Sequence, residues 1–192
     1  TDISRRKREH MEIAMQSESQ TDRSASWDSV FLLPKSLPEL SLNDIDLTTT
    51  FAGHELGAPV VISGMTGGHQ DALMVNRNLA IAAAELGLGI GVGSQRAALN
   101  NKELRGTYEI VRETAPEALV IGNIGMCQLV TQANSQPLDR TDIEDAVSMI
   151  DADLLAIHLN AVEELVQPEG DRNMKGILDA IRECVKWSPA PI

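Results

Sequence analysis

DLLAIHLNAVEELVQPEGD, residues 153–171, opens as an apolar run and turns polar at His158. Leu154, Leu155, Ala156 and Ile157 show no alternation of apolar and polar side chains. Such a run fits a strand buried on both faces, as strands are in a parallel sheet. Immediately beyond it stand His158, Asn160, Glu163 and Glu164. A connecting loop needs polarity, but it does not need an imidazole, an amide and two carboxylates together. His158 and Asn160 are two residues apart, so on extended backbone they share one face and point into the same space.

The same design recurs upstream. APVVIS (58–63) is an apolar run that ends in GMTGG (64–68), and ALMVNRNLAIAAAELG (72–87) follows as a helix. Leu79, Ala82, Ala83 and Leu86 stand at i, i+3, i+4 and i+7, the spacing of one buried face. GLGIGVGS (87–94) reads as a Gly-rich strand leading into GSQR (93–96), and NKELRGTYEIVRET (101–114) as a helix burying Leu104, Tyr108 and Val111. EALVIGN (117–123) runs into GNIGMCQ, and DRTDIEDAVSMIDA (139–152) carries Ile143, Ala146, Val147 and Ile150 on one side. The fourth unit is the opening strand followed by NMKGILDAIRECVKW (173–187). Between the third strand and its helix, QLVTQANSQPLD (128–139) is a polar loop.

Strand–helix units in succession imply an α/β fold with a parallel sheet and right-handed crossovers. Either an open doubly wound sheet or part of a (β/α)8 barrel satisfies the pattern, and in both the ligand meets the C-terminal ends of the strands. The barrel is the expected form, with residues 58–192 making about its first four βα units. Residues 1–57 are expected to form an N-terminal arm with a basic helix (4–16), a connector and a small hairpin at 48–57 turning near Gly53.

Composition narrows the function. The chain has 192 residues, 43% of them hydrophobic, which is enough for one domain with a sizeable core. Its net charge of −12 repels nucleic acids and anionic membranes, and no apolar run is long enough to span a bilayer. Neither a nucleic-acid nor a membrane partner is expected. Cys127 and Cys184 stand far apart without metal-ligand spacing, which reads as a reduced, cytoplasmic protein. Against the acidic background, Arg5, Arg6, Lys7 and Arg8 are consecutive. They form either a solvated helix end or a site for a phosphorylated ligand.

The strand-end loops limit the chemistry. Glycines at 64, 67 and 68 let main-chain N–H groups approach a ring or a phosphate, with Thr66 adding a hydroxyl. GIGVGS (89–94) has the wrong spacing for a dinucleotide fingerprint. Arg96 can grip a phosphate, Ser94 or Gln95 can bond a cofactor ring, and Asn123 offers a neutral amide. Glu163 and Glu164 offer oxygens to a hard cation such as Mg2+. No His/Cys set supports zinc, and neither cysteine lies in an activating motif.

Taken together and in order, RKREH (6–10), SGMTGG (63–68), NRNLA (76–80), GVGSQR (91–96), NIG (123–125) and HLN…E…QPEGD (158–171) resemble the type II, flavin-dependent isopentenyl-diphosphate isomerases. The resemblance covers nearly the whole chain. It implies a (β/α)8 TIM barrel holding FMN, with Mg2+ and with NAD(P)H as reductant. It also implies interconversion of isopentenyl diphosphate and dimethylallyl diphosphate by protonation and deprotonation, and a homo-oligomer. By motif, Arg6, Lys7 and His10 would bind the diphosphate, joined by Arg96, His158 and Asn160. Met65, Thr66, Gly67, Ser94 and Asn123 would line the flavin, and Glu164 would hold Mg2+. His158, Asn160 and Glu163 would stand at the reacting carbons.

Two departures from the family pattern carry weight. Ala161 and Glu163 replace its usual Pro and Gln, and the family continues through four more βα units, including the flavin-phosphate loops. The alternatives are another FMN-dependent barrel oxidoreductase and a non-catalytic half-barrel that assembles with a partner. The oxidases place their His/Arg pair late in the barrel, and an inosinate-dehydrogenase relative needs a nucleophilic Cys loop that Cys127 does not match.

Overall fold

A computed structural model describes residues 5, 8–9, 12–19, 27–168 and 170–192. Thr49–Phe51 (β1) and His54–Leu56 (β2) form the expected antiparallel hairpin. Its two-residue turn places both Ala52 (φ 50°) and Gly53 (φ 86°) in the left-handed region, which matches the right-handed twist of the flanking strands. Four further strands follow: Val61–Ile62 (β3), Gly89–Gly91 (β4), Val120–Gly125 (β5) and Leu154–His158 (β6). They form one parallel sheet in chain order, with Ile62 opposite Ile90, Ile90 opposite Val120 and Gly125 opposite His158. Beyond β6, the Leu155 N–H donates to the Pro191 carbonyl at 2.9 Å, so residues at the end of the chain run along the outer edge of the sheet.

Helices connect the strands, as the apolar periodicity requires. Gln70–Leu86 (α1) is capped by the His69 ring, which accepts from the Asp71 N–H, and stops at Gly87 in the left-handed conformation. Its buried row is Ala72, Asn76, Ala80 and Ala83, which shares only Ala83 with the expected one. Leu79 and Ala82 are half-buried, and Leu86 is exposed. The reason is steric: small side chains let α1 lie close against a second helix, whereas a leucine row would hold the two apart. After the short Arg96–Asn100 (α2), that second helix is Gly106–Thr114 (α3), which buries Tyr108 and Val111 as expected. Arg140–Met149 (α4) begins with a capping box between Asp139 and Asp142 and buries Ile143, Ala146 and Val147. Ala161–Val166 (α5) is an extra turn of helix in the loop after β6, and Ile177–Trp187 (α6) buries Cys184.

Ile90, Val92, Tyr108, Val111, Val120, Ile124, Ile143, Ile150 and Leu155 make the core between sheet and helices. Both cysteines are buried and form no disulfide. Among the described residues no helix is long and apolar enough to cross a membrane. The connector expected at 26–34 opens, in its described part, with a short turn at Trp27–Ser29 and continues without helix or strand to a second at Leu42–Asp44, leaving Phe31, Leu32, Leu33, Leu37 and Leu42 over 80% exposed.

One arginine ties the lower end of the sheet together. Arg112 donates to the carbonyls of Pro116 (2.8 Å), Ala118 (3.0 Å) and Asp151 (2.6 Å) and to Asp153 Oδ2 (2.8 Å). The same Asp153 oxygen accepts from the Val120 N–H at 2.8 Å. Hydrogen bonds from charged groups contribute about 1.5–3 kcal/mol each, so Arg112→Ala is expected to destabilise the fold by about 3 kcal/mol or more. Urea denaturation checks this, and Arg112→Lys should recover only part of the loss because its ammonium lacks the forked geometry.

Candidate active site

The C-terminal ends of β3, β4, β5 and β6 open into one cleft of about 380 Å3. Its lining comes from four loops: Gly64 and Met65 after β3; Gly93, Ser94, Arg96 and Ala97 after β4; Asn123 and Gln128 from β5 and beyond; and His158, Asn160, Glu163, Glu164 and Gln167 after β6. Parallel strands bring their C-terminal ends to one side of the sheet, and the helices that return each crossover leave that side free for loops. The polar strand ends noted in the sequence therefore converge.

Their hydrogen bonds are specific. His158 Nδ1 lies 2.6 Å from Asn123 Oδ1, across the β5–β6 pair. Gln128 Nε2 donates to Ser94 Oγ at 3.0 Å. Asn160 Nδ2 donates to Glu164 Oε1 at 2.7 Å, and the Asp171 N–H donates to Glu164 Oε2 at 2.8 Å. Arg96 pairs with Asp171 and donates to Ser135 Oγ at 3.2 Å, joining three loops. Glu163 is exposed and accepts from Gln167 Nε2 at 3.0 Å. The two adjacent glutamates thus differ: Glu164 is half-buried and holds the loop, while Glu163 faces outward on α5.

Two buried acceptors, Gln128 Oε1 and Asn160 Oδ1, have no hydrogen-bond partner among the described residues. A buried acceptor left dry costs roughly 1–3 kcal/mol, so the cleft is built for an occupant or for water that donates hydrogen bonds. Its charge is one guanidinium, Arg96, against the carboxylates of Glu163, Glu164 and Asp171. An anionic ligand held here needs further positive charge. Burial, reinforced by the Glu164 and Asp171 charges and opposed by Arg96, pushes the nearby Cys127 thiol above its ordinary pKa, which leaves it a poor nucleophile at neutral pH.

Of the residues singled out in the sequence, the structure brings together Met65, Ser94, Arg96, Asn123, His158, Asn160, Glu163 and Glu164. Thr66 and Gly67 sit outside the lining. Thr66 bonds to Asn76 on α1, and Gly67 (φ 143°) packs so tightly on the Tyr108 ring that a Cβ there would overlap it. Gln95, read as able to bond a ring, points inward instead. It is fully buried, accepts the Asn123 N–H at 2.9 Å and donates to the Ala146 carbonyl at 2.7 Å. Arg6, Lys7 and His10 lie outside the described residues. Their neighbours Arg5 and Arg8 are helical and pair with Glu9 and Glu12 one turn on. Gln128 was not singled out, although GNIGMCQ, quoted for its polarity, ends on it. Among the described residues, no group of three or more His, Cys, Asp or Glu side chains could hold a metal by itself.

The fold and cleft define a βα-repeat protein with a polar cleft at its strand ends. No family model matches the chain. Over 190 residues, 98% of its length, it is 43% identical to an isopentenyl-diphosphate delta-isomerase from Methanosarcina mazei. It is 47% identical over 180 residues to the protein of that name from Methanothrix thermoacetophila, and 42% over 191 residues to the one from Aeropyrum pernix. The chain spans about half the length of these curated relatives: 50%, 48% and 50% respectively.

Proposed function

We propose that these 192 residues carry the first four βα units of a flavin-dependent, type II isopentenyl-diphosphate delta-isomerase, a (β/α)8 barrel enzyme of isoprenoid biosynthesis. The observation that carries the reading is the single cleft. The strand-end motifs of the resemblance, separated by up to about a hundred residues of sequence, line one wall of it in motif order. The similarity to proteins bearing the isomerase name runs over almost all of the chain.

Isopentenyl diphosphate and dimethylallyl diphosphate would enter with the diphosphate toward Arg96. Because Asp171 already pairs with that guanidinium, the anion needs Arg6, Lys7 and His10 from the N-terminal arm and a divalent cation besides. Glu164 fits Mg2+ in the usual way for this ion, one carboxylate with the remaining positions filled by substrate phosphate and water. Met65, Ser94 and Gln128 are the lining groups that would hold FMN. At Gly64 a Cβ would run into the Val92 carbonyl, so the backbone there stays bare beside Met65, and Ser94 and Gln128 add polar groups. Bound reduced FMN, regenerated by NAD(P)H, would supply the acid and base for the allylic proton shift. His158 and Asn160 would orient the substrate over it, and the loop held by Glu164 would limit water. The reading includes a homo-oligomeric, cytoplasmic enzyme.

The test is incubation with isopentenyl diphosphate, FMN, NADPH and Mg2+, followed by product analysis, on this chain and on a full-length version. Dimethylallyl diphosphate from the full-length protein, together with a yellow preparation, is the expected result. A colourless, folded full-length protein that makes no product would overturn it.

A further inference from the structure

The structure assigns Asn123 as a positioning residue that fixes the tautomer of His158. Asn123 Oδ1 stands 2.6 Å from His158 Nδ1, and a carbonyl oxygen can only accept. The proton of the neutral ring therefore sits on Nδ1, and Nε2 carries the lone pair. The amide is itself held from behind. The Asn123 N–H donates to Gln95 Oε1 at 2.9 Å, and Gln95, fully buried, is anchored by Nε2 to the Ala146 carbonyl on α4 at 2.7 Å. Asn123 and His158 lie on adjacent strands whose register sets Asn123 opposite Ala156 and Gly125 opposite His158. Gly125 leaves the imidazole room: a Cβ there would come within 3.2 Å of the ring. Gln95 thus ties the Asn123 backbone to the core helix, and the Asn123 side chain, carried on that fixed backbone, meets one ring nitrogen.

This deepens the reading of His158 as a substrate-facing group and rests on it for its functional meaning. With Nδ1–H bonded to Asn123, Nε2 of the neutral ring can only accept, and it donates only when the ring is imidazolium. A phosphate oxygen, which accepts only, would then be bonded by Nε2 of the charged ring and not of the neutral one. Asn123 thereby uses its Oδ1 on the histidine and keeps the Nδ2 donor for an occupant of the cleft.

The tautomer is read directly by long-range 1H–15N correlation spectra of the 15N-labelled 192-residue chain, without substrate. The chain has only four histidines, and loss of one pattern in His158→Gln assigns the ring. The spectra are taken at about pH 8, above the ordinary histidine value of ~6.5. The expected wild-type pattern is a protonated Nδ1 and an unprotonated Nε2. Asn123→Leu should shift the ring to the Nε2–H form that free histidine favours, while Asn123→Asp, which keeps an acceptor, should keep a proton on Nδ1. A wild-type ring in the Nε2–H form overturns the assignment, whatever the variants do. So does a folded Asn123→Leu with an unchanged spectrum. Should Asn123→Leu fail to fold, the wild-type and Asn123→Asp spectra still decide. No outcome depends on isomerase activity, so failure here and failure of the enzyme reading are separable.

Discussion

Tyr108→Ala is expected to lower the unfolding free energy by about 3–5 kcal/mol, the range for truncating a buried aromatic side chain. Tyr108 is fully buried at the centre of the core, its ring lies against Gly67, and its hydroxyl donates to the Ser94 carbonyl at 2.7 Å. The loss is a large part of the total, since domains are stable by only ~5–15 kcal/mol. Tyr108→Phe keeps the ring and forfeits one hydrogen bond, so about 1 kcal/mol should go. Chemical denaturation of the two variants separates packing from the hydroxyl. The pH dependence follows from the same burial, which pushes the Tyr108 hydroxyl pKa far above its ordinary value. A folded pKa raised above the unfolded one gives stability that is complete below about pH 10 and declines as pH rises beyond it. Tyr108→Phe should flatten that alkaline limb. An alkaline limb as steep in Tyr108→Phe as in wild type would show that other groups control it.

The second large effect separates the adjacent glutamates. In a full-length enzyme Glu164→Gln is expected to raise the Mg2+ requirement roughly 10- to 150-fold, the equivalent of one charge-assisted contact of ~1.5–3 kcal/mol. The same change weakens the acceptor held by Asn160 and by the Asp171 N–H, so the 160–171 loop should also exchange its amide protons faster. Glu163→Gln should keep most activity. Glu163 is exposed and accepts from Gln167, and the pattern of the isomerases that the chain resembles has a neutral Gln at this place. Steady-state rates against Mg2+ concentration check both variants. A rate loss of several powers of ten in Glu163→Gln, with substrate and flavin still bound, would make Glu163 the acid/base instead.

The sheet was legible because its strands are apolar on both faces and its helices alternate with them; period and punctuation alone set the order of elements. Burial on α4 and at its end was legible too, since Ile143, Val147 and Ile150 are large enough to mark their face. The first helix misled, sharing only Ala83 with the expected row. Alanine carries little hydrophobic signal, and the close approach to α3 that makes Ala72, Ala80 and Ala83 the buried row is a property of the pair, not of either helix. Residue type and position marked His158, Asn160 and Ser94 as strand-end groups, and all three line the cleft. What escaped was direction. Gln95 and Arg96 follow β4 and Asn123 lies within β5, all three polar, yet one turns into the core, one pairs with Asp171 and one holds an imidazole. Those choices depend on partners up to 75 positions away in sequence, as in the Arg96–Asp171 pair, and no local pattern encodes them.

Because each strand from β4 to β6 pairs with its immediate predecessor in the chain, none has to wait for a later segment to be inserted between two earlier ones. A polypeptide leaving the ribosome can dock every new strand onto an edge that is already formed, so the growing nascent chain never needs to reopen a paired ladder. Interleaved strand orders deny a chain that route, and long-range pairings of that kind are slow and prone to aggregate. Arrest of synthesis after β5 should accordingly leave a protease-resistant β3–β4–β5 core tethered to the ribosome, with Asn123 already braced by Gln95 before the histidine it will hold has been made.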